Sequence, residues 1–312
     1  MPHIANLSPD NPMTRTADQT PPTHTVEIAN RQSDADDRPV TIIRPPSFSV
    51  ATLWQSAGRL AEYRDLLYTL SAHRLQVRYK QSVLGPLWAI LQPLALLLIY
   101  AIIFGRLAGV ESEGIPYTLF AFAALLPWTC FSTAVSTATN SLVSHFNLVT
   151  KVYFPREILP LTYVIAGMVD LAAGGLILAG LLVYQHWSLT LQALWLIPVV
   201  GVMFVLALAV SLVLSAIQVR FRDIGMAMPL LLQVWMFATP IVYPLSAVPA
   251  QWRSLYMLNP MVGVIDNVRR VLLHGTAPDL TSLGIAAGIT IVLLMVALLY
   301  FKRIEATVAD VL

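Results

Sequence analysis

The chain has 312 residues, of which 57% are hydrophobic and only 12% are charged, and its formal net charge is +2. Soluble domains carry about a quarter charged residues, so a soluble globular fold is excluded, and so small a net charge does not indicate nucleic-acid binding. The single cysteine, Cys130, excludes an internal disulfide framework, and its apolar surroundings predict a buried, unreactive thiol. The composition predicts an all-α integral membrane protein.

The first 48 residues are polar and show no helical apolar period, so we predict a disordered cytoplasmic tail over residues 1–48. They also lack the basic start and apolar core of a secretory signal, which leaves the first spanning helix as the insertion signal. Over residues 49–86, Leu53, Leu60 and Leu67 recur at helical spacing, while the arginines fall largely on other faces. This pattern predicts an amphipathic helix on the membrane surface; the alternative is a soluble helix that packs on a partner protein.

The chain is predicted to enter the bilayer within residues 78–93. Arg78 and Lys80 lie at the membrane edge, a Gly-Pro dipeptide permits a bend, and Trp88 has a ring suited to the headgroup zone. Residues 87–105 then contain no Asp, Glu, Lys, Arg or His, and this length is about what a helix needs to cross the bilayer core.

Six apolar runs are predicted to form spanning helices, at residues 87–105, 117–139, 158–184, 193–217, 227–243 and 283–301. Short cytoplasmic loops are enriched in Lys and Arg, and the basic residues between these runs alternate in the way that six spans require. The prediction is a six-helix domain over residues 87–303 and a cytoplasmic C-terminus over residues 304–312, with both termini in the cytoplasm.

Residues 245–281 do not fit a simple six-helix scheme. They are semi-apolar but carry Arg269 and Arg270 on the predicted outer side, and a full span there would turn the C-terminus outward. We therefore predict a pair of short re-entrant or interfacial helices, turned at Asn259-Pro260, with both arginines facing water in an outer vestibule.

The sequence shows no catalytic or metal-binding constellation. Its six histidines are scattered, no carboxylate pair lies at working spacing in an apolar run, and no Gly-Lys dipeptide is present to form a Walker A phosphate loop. We therefore predict that the chain is not an enzyme by itself and holds no cofactor, so that any ATP and Mg²⁺ bind to a separate ATPase subunit.

The second run carries a stripe of hydroxyl and amide side chains at spacings of three to four residues, among them Ser136 and Asn140. Such a face either packs against another helix or lines a hydrated conduit, and both alternatives stay open here. In the third run Asp170 stands near the middle. An intramembrane carboxylate indicates either a substrate contact or a cap or partner for a neighbouring residue.

Aromatic residues are concentrated in the spans. Most membrane aromatics face lipid, but rings turned inward would suit the C–H-rich faces of sugars. Residues 146–160, between the second and third runs, are too long and too patterned for a turn. They predict a basic, aromatic docking surface on a short helix that is capped by Asn147 or Ser144 and ended by Pro155.

Several motifs occur in a characteristic order. They are Lys80-Gln-Ser-Val-Leu-Gly-Pro-Leu-Trp88 with Pro93, Val152-Tyr-Phe-Pro-Arg-Glu157, Arg220-Phe-Arg-Asp-Ile224, Pro240-Ile-Val-Tyr-Pro244 and Asn259-Pro260. In this order they resemble the permease subunit of bacterial ABC exporters for O-antigen, capsular polysaccharide and teichoic acid. The resemblance covers residues 53 to 303, and the long polar tail departs from shorter family members.

The resemblance implies that two copies of the chain form a channel in the bacterial inner membrane, together with two ATPase subunits that dock from the cytoplasm. A lipid-linked polysaccharide would move outward at the expense of ATP. Residues 146–157 would be the coupling helix, residues 220–223 a second ATPase contact, and residues 245–281 the outer gate. The further partners are membrane lipids, and nucleic acid is not expected.

The resulting candidate residues form four groups. Coupling to the ATPase involves Asn147, Lys151, Tyr153, Phe154, Arg156, Glu157, Arg220, Arg222 and Asp223. The substrate path involves Trp88, Trp128, Phe131, Ser136, Asn140, Tyr163, Asp170, Trp235 and Tyr243. An anionic substrate headgroup would meet Arg74, Arg78 and Lys80. The outer gate involves Trp252, Tyr256, Asn259, Pro260, Arg269 and Arg270.

Three alternative functions can be distinguished from this one. An ABC-type permease of the same architecture for a smaller lipid or drug is the nearest alternative, and neighbouring glycosyltransferase genes would argue against it. A membrane-embedded sugar transferase would need clustered carboxylates or histidines near a membrane face. An ATP-independent channel would be excluded by copurification of an ATPase subunit.

Overall fold

The computed structural model describes residues 62–79 and 87–311, and within them all regular structure is helical. The predicted tail, the first part of the amphipathic region and the bend before residue 87 lie outside the described residues. So do Lys80 and the side chain of Arg78. The all-α prediction is confirmed for the described part of the chain.

The main helices are α1 (Arg64–Tyr79), α2 (Trp88–Tyr100), α3 (Tyr117–Thr139), α4 (Phe146–Lys151), α5 (Ile158–Tyr184), α6 (Leu196–Arg220), α7 (Asp223–Phe237), α8 (Ala250–Met257), α9 (Pro260–Arg269) and α10 (Leu280–Val311). Shorter turns join them. They are the π-helical turns Ala101–Leu107 and Arg270–His274, the 3-10 turns Leu191–Trp195 and Leu245–Ala247, and the α-helical turn Ser141–Ser144.

Five helical segments of the described chain are long and apolar enough to cross a membrane: Ile90–Leu107, Tyr117–Thr139, Ile158–Tyr184, Leu191–Arg220 and Leu280–Glu305. They match five of the six predicted runs and confirm a membrane protein.

The remaining predicted run, the fifth in chain order at residues 227–243, is helical only as far as Phe237. Helix α7 has 15 residues, which is about 22 Å of helix against a bilayer core of about 30 Å. Residues 238–243 form turns around Pro240, which has no backbone N–H to continue a helix. The prediction of a helix that reaches Tyr243 is therefore wrong at its C-terminal end.

The two ends of the helical bundle carry different loops. At one end, the backbone N–H of Arg156, which follows α4, donates a hydrogen bond to the Glu305 carboxylate in α10. Helix α1 packs at this end, so we call it the α1 end. At the other end, the Trp187 indole after α5 donates a hydrogen bond of 3.0 Å to the carbonyl of Leu273 after α9; we call this the α9 end. The α6–α7 loop lies with α4 at the α1 end, whereas α8 and α9 lie at the opposite end.

Helix α3 is the central helix of the bundle. Of its candidate span, 78% is buried, and it packs against α5, α6, α7 and α9. The Cys130 thiol is buried, as predicted, and donates a hydrogen bond of 3.0 Å to the carbonyl of Gly167 in α5. A Cβ at Gly167 would lie 3.3 Å from the Cβ of Ala134, so the close α3–α5 contact depends on small residues on both helices.

Helices α8 and α9 form the short pair that the Asn259-Pro260 turn predicts. The Asn259 side chain caps α9 by accepting a hydrogen bond of 3.1 Å from the backbone N–H of Met261, and Pro260 occupies the first turn. Helix α9 is buried against α3, α6 and α10. A Cβ at Gly263 would lie 2.9 Å from the backbone carbonyl oxygen of Ser282, so glycine lets α9 approach α10.

Helix α1 is amphipathic and packs along α5 of the same chain. Leu67 and Leu70 contact an apolar core at the α1 end that contains Phe154 and Phe301. Tyr68 is 77% exposed on the other side. A helix is thus observed over residues 64–79 of the predicted 49–86, and its apolar side chains are half-buried against the bundle; its placement on a membrane surface stays a prediction.

Candidate functional site

Three clefts adjoin the polar stripe of α3, and Thr133 lines all of them. The first, of about 130 Å³, is lined by Trp88, Gln92, Thr129 and Asp170, among others. The second, of about 250 Å³, is lined by Arg74, Thr137, Tyr163 and Asp170, among others. The third, of about 400 Å³, is lined by Tyr100, Trp128, Ser132, Ser136 and Gln233, among others. The structure therefore brings five predicted path residues and Arg74 to one face of α3.

The hydroxyl groups of this face are held by their own helix. Ser132 donates a hydrogen bond of 3.2 Å to the carbonyl of Thr129, and Thr137 donates one of 2.6 Å to the carbonyl of Thr133. The side chains can therefore line a cleft without a second helix to satisfy them. The two alternatives for the stripe were helix packing and a hydrated conduit. The structure places Ser132, Thr133, Ser136 and Thr137 at an open cleft.

Arg74 lies against an aromatic ring at the α1 end. Its guanidinium carbon is 2.8 Å from the centroid of the Tyr163 ring, a cation–π contact. Burial lowers the pKa of Arg74 to about 9, so the group still carries its charge at neutral pH. The Tyr163 hydroxyl also lies 3.4 Å from the hydroxyl of Ser144, near the start of α4. This places a sheltered cation beside the second cleft.

Three predicted path aromatics form a cluster, but only Trp128 borders one of the three clefts. The ring centroids of Trp128 and Trp235 are 6.2 Å apart, and those of Phe131 and Trp235 are 5.2 Å apart, both edge to face. Phe131 is 0% exposed. In this structure its ring stabilises the position of Trp235, and the prediction that it lines a path is wrong for this conformation.

Two further predicted path residues have other contacts. The amide oxygen of Asn140 accepts a hydrogen bond of 3.1 Å from the Gln218 side chain, which also bonds to the carbonyl of Arg222. Asn140 thus joins the end of α3 to the α6–α7 loop. The Tyr243 hydroxyl donates to the carbonyl of Phe237 at 2.9 Å, which places this residue at the α9 end, and it does not line the three clefts.

The α4 segment, residues 146–157, presents an exposed surface at the α1 end. Asn147 and Lys151 are exposed and Tyr153 is 89% exposed. The helix begins after His145, which makes no side-chain cap, and ends at Lys151, so neither the predicted Asn147 or Ser144 cap nor the predicted end at Pro155 is correct. Residues 152–155 continue as extended or irregular chain.

Two predicted coupling residues are buried instead. Phe154 is 5% and Glu157 is 3% exposed, because both side chains pack into the bundle. The prediction that these two side chains contact the ATPase is therefore wrong for this conformation. By contrast, Arg220, Arg222 and Asp223 are all exposed at the same end.

Glu157 has a partner that the sequence interpretation did not identify. It forms an ion pair with Lys302 in α10, and the Lys302 amine also lies 2.9 Å from a carboxylate oxygen of Glu305. In the sequence Lys302 is only a basic residue just after the last apolar run, which favours a position on the cytoplasmic side. Long-range pairing of this kind is set by tertiary packing, which a single sequence does not display.

Arg269 is also placed differently from its prediction. It is 4% exposed and does not face water. Its guanidinium donates to the backbone carbonyls of Phe120, Pro240, Ile241 and Tyr243 and lies over the Phe120 ring. The prediction of a water-facing Arg269 is therefore wrong. Three of these carbonyls belong to residues 240–243, where the chain after α7 is not helical. Arg270 is exposed, as predicted.

The α8–α9 pair is linked to α7 through polar side chains. The Trp235 indole donates a hydrogen bond of 3.0 Å to the amide oxygen of Asn259, and the Asn259 amide donates one of 2.9 Å to Thr239. Trp252 is half exposed and Tyr256 lies 3.3 Å from the Tyr243 hydroxyl. The predicted gate residues therefore share contacts with the predicted path residues Trp235 and Tyr243.

A charged cleft of about 540 Å³ lies at the α9 end, lined by Glu113, Asp266, Arg270 and His274, among others. Glu113 lies 3.4 Å from the His274 ring and accepts a hydrogen bond of 2.7 Å from Ser246. Within the described residues, no three His, Cys, Asp or Glu side chains come together in a way that could hold a metal ion.

Comparison with known proteins gives a consistent result. A family model described as ABC-2 type transporter matches residues 65–273. The chain is 34% identical to the O-antigen export system permease protein RfbA of Myxococcus xanthus over 247 residues, covering 78% of this chain and 94% of the relative. It is 30% identical to the protein of the same name from Klebsiella pneumoniae over 250 residues, covering 80% and 95%. It is also 27% identical to the polysialic acid transport protein KpsM of Escherichia coli over 244 residues, covering 76% and 93%. The chain belongs to the ABC-2 type transporter family.

Proposed function

We propose that this chain is the membrane-spanning subunit of an ATP-driven exporter that moves a lipid-linked polysaccharide from the cytoplasm outward across the bacterial inner membrane. The observation that carries the proposal is the likeness to an O-antigen export permease, which extends over 94% of that relative. The family match over residues 65–273 contains the α3 clefts, the α4 segment and the α8–α9 pair.

The α1 end is the cytoplasmic end in this proposal. The exposed basic residues Lys151, Arg220 and Arg222 lie there, as the positive-inside rule requires. The chain crosses six times, because α7 together with residues 238–243 must carry it from the α1 end to the α9 end. Both termini are then cytoplasmic, and the α8–α9 pair re-enters from outside, where α3, α6 and α10 cover the backbone of α9.

Two copies of the chain and two ATPase subunits form the working complex. ATP and Mg²⁺ bind to the ATPase, and the exposed surface of the α4 segment, with residues 220–223, is where that partner docks. Tyr153 offers a large exposed ring there, and an exposed aromatic of this size is typical of an anchor at a protein interface.

The α3 clefts are the candidate path for the sugar chain. Hydroxyls of Ser136 and Thr137 offer hydrogen bonds to a sugar chain, and the largely buried Trp128 borders the third cleft, where it adds an apolar wall along which a polymer can slide. Arg74, held over Tyr163, is the candidate contact for the anionic headgroup where it enters. The α8–α9 pair then serves as the outer gate.

Copurification and export together test the proposal. The tagged chain is expressed in its native host in place of the chromosomal copy, solubilised gently, and examined for a bound ATPase subunit. Polysaccharide at the cell surface is measured in the same strain and in a strain that lacks the chain. We expect a bound ATPase, and surface polysaccharide that disappears in the deletion strain. The proposal is refuted if the deletion strain keeps its surface polysaccharide. It is also refuted if the tagged chain purifies without an ATPase from cells that keep normal surface polysaccharide.

A further inference from the structure

Four residues join the α4 segment to the C-terminal part of α10. The backbone N–H of Arg156 donates a hydrogen bond of 3.2 Å to a carboxylate oxygen of Glu305, and the Arg156 guanidinium donates to the Glu305 backbone carbonyl. Lys302 pairs with Glu157 and lies 2.9 Å from the Glu305 carboxylate. We call this set the α4–α10 joint.

The α4–α10 joint is sheltered from water. Only 5% of the Glu157 side chain, 10% of the Lys302 side chain and 21% of the Glu305 side chain are exposed. Sheltered charges are screened little by salt, and removal of one partner leaves the other as an uncompensated buried charge. The joint is therefore much firmer than an ion pair on an open surface.

An apolar contact reinforces the joint. Phe154 of the α4 segment and Phe301 of α10 belong to the same buried core, together with Val149 and Ala297. Phe301 is 1% exposed and stands next to Lys302 in the sequence. The α4 segment is therefore held to α10 by packing as well as by charge, and a displacement of one must either carry the other with it or break both contacts.

Helix α10 continues from this joint to the opposite end of the bundle. It is a single helix of 32 residues, Leu280–Val311, that packs along α6 and, near its start, against α9. At that contact a Cβ at Gly263 would lie 2.9 Å from the Ala286 Cβ. One rigid element thus touches both the α4 segment and the α8–α9 pair.

We propose that α10 transmits the movement of the ATPase to the α8–α9 pair, and that the α4–α10 joint makes the α4 segment and α10 move as one body. The inference rests on the proposed function, because it takes the α4 segment as the ATPase docking surface. Glu157, Lys302 and Glu305 are positioning residues: they act through α10 and touch neither substrate nor ATP. Coupling between distant sites needs a contiguous packed route of this kind.

The first experiment separates export from ATP hydrolysis. Lys302→Met removes the central charge of the joint while keeping a long apolar side chain, and Arg303→Met makes the same change at the adjacent, exposed position. We expect Lys302→Met to lower export per ATP hydrolysed by about tenfold, within the range that substitutions along a coupling route produce. Arg303→Met should leave both export and hydrolysis unchanged. Export is measured as surface polysaccharide in the native host, and hydrolysis with the purified complex.

A reversed joint distinguishes coupling from folding. The variant Glu157→Lys/Lys302→Glu/Glu305→Gln restores an opposite-charge pair and keeps an acceptor for the Arg156 N–H. We expect it to recover export. Spin labels at residues 152 and 303 of one chain per complex, with Cys130 replaced by Ala, then report the distance between the α4 segment and α10. In the parent this distance should stay constant between ATP-free and ATP-trapped states, and in Lys302→Met it should change.

These experiments test the coupling role of the α4–α10 joint, and their failure can be distinguished from failure of the proposed function. Normal export per ATP in Lys302→Met, a reversed variant that folds without recovering export, or a parent distance that changes with ATP would each overturn the inference. If Lys302→Met does not fold, the distance measured in the parent decides alone. The proposed function fails instead if the parent chain neither binds an ATPase nor supports export, and the variants are not needed to show it.

Discussion

The guanidinium carbon of Arg269 lies 3.6 Å from the centroid of the Phe120 ring, and its Nε donates a hydrogen bond of 3.3 Å to the Phe120 backbone carbonyl. The same side chain donates to the carbonyls of Pro240, Ile241 and Tyr243. One buried arginine therefore connects α3, the broken chain after α7, and α9. Its planar fork reaches several acceptors at once, which a lysine ammonium cannot do.

Arg269→Lys should destabilise the protein even though the charge is kept. Several buried carbonyls lose their donor, which costs at least about 2 kcal/mol in the free energy of unfolding. The measurement is the unfolding temperature of the purified protein in detergent, followed by tryptophan fluorescence. Arg270→Lys is the matched control, because Arg270 is exposed, and it should not change this temperature. Equal unfolding temperatures for the two variants would show that the carbonyl contacts of Arg269 carry no weight.

Tyr153→Ala should reduce export without affecting membrane insertion. The ring is 89% exposed at the α1 end, so its removal takes no packing from the fold but removes an anchor for a docking partner. Tyr184→Ala is the control, because Tyr184 is the last residue of α5, at the α9 end, and is 81% exposed. We expect the amount of copurified ATPase to fall by at least about tenfold for Tyr153→Ala only, as for a residue at an interface hot spot. Normal ATPase binding and export in Tyr153→Ala would place the docking surface elsewhere.

The spans and the α8–α9 turn are predictable from the sequence, because hydropathy and turn residues act over short stretches of chain. Five runs agree with long apolar helices, and Asn259-Pro260 does begin α9. The end of the fifth run, residues 227–243, is missed, because Ile241 to Tyr243 are as apolar as a span. Only tertiary contacts show that the carbonyls of Ile241 and Tyr243 accept hydrogen bonds from Arg269, and that of Val242 from Tyr117, instead of continuing a helix.

The candidate site divides in the same way. The hydroxyl stripe on α3 is visible in its spacing, and the structure places Ser132, Thr133 and Ser136 at clefts. Phe131 carries the same aromatic signal as Trp128, and both rings are buried, but only Trp128 borders a cleft, because the side of α3 that meets α7 is not marked in the sequence. The pairing of Glu157 with Lys302 is likewise invisible, since neither residue has a neighbour in the sequence that indicates the other.

The Arg74–Tyr163 contact predicts a difference between two substitutions of the same ring. Tyr163→Phe keeps the face on which the guanidinium rests, whereas Tyr163→Ala removes it and a contact worth about 1 kcal/mol. We expect substrate-stimulated ATP hydrolysis and export to be kept in Tyr163→Phe and reduced in Tyr163→Ala. Equal export in both variants and the parent would mean that the ring does not position Arg74 for the substrate.

Gly263→Ala should separate the α9–α10 contact from ordinary helix propensity. A Cβ at this position would lie 2.9 Å from the backbone carbonyl oxygen of Ser282 and 2.9 Å from the Ala286 Cβ, so helix α9 must move away from α10. Overpacking of this kind costs about 1–3 kcal/mol. Gly284→Ala is the control, because no heavy atom lies within 4 Å of its added Cβ. That substitution should raise stability by up to about 1 kcal/mol through helix propensity alone. We therefore expect the unfolding temperature in detergent to fall for Gly263→Ala and to rise or stay constant for Gly284→Ala. If the two variants shift together, α9 does not depend on close contact with α10, and α10 loses its means of moving the α8–α9 pair.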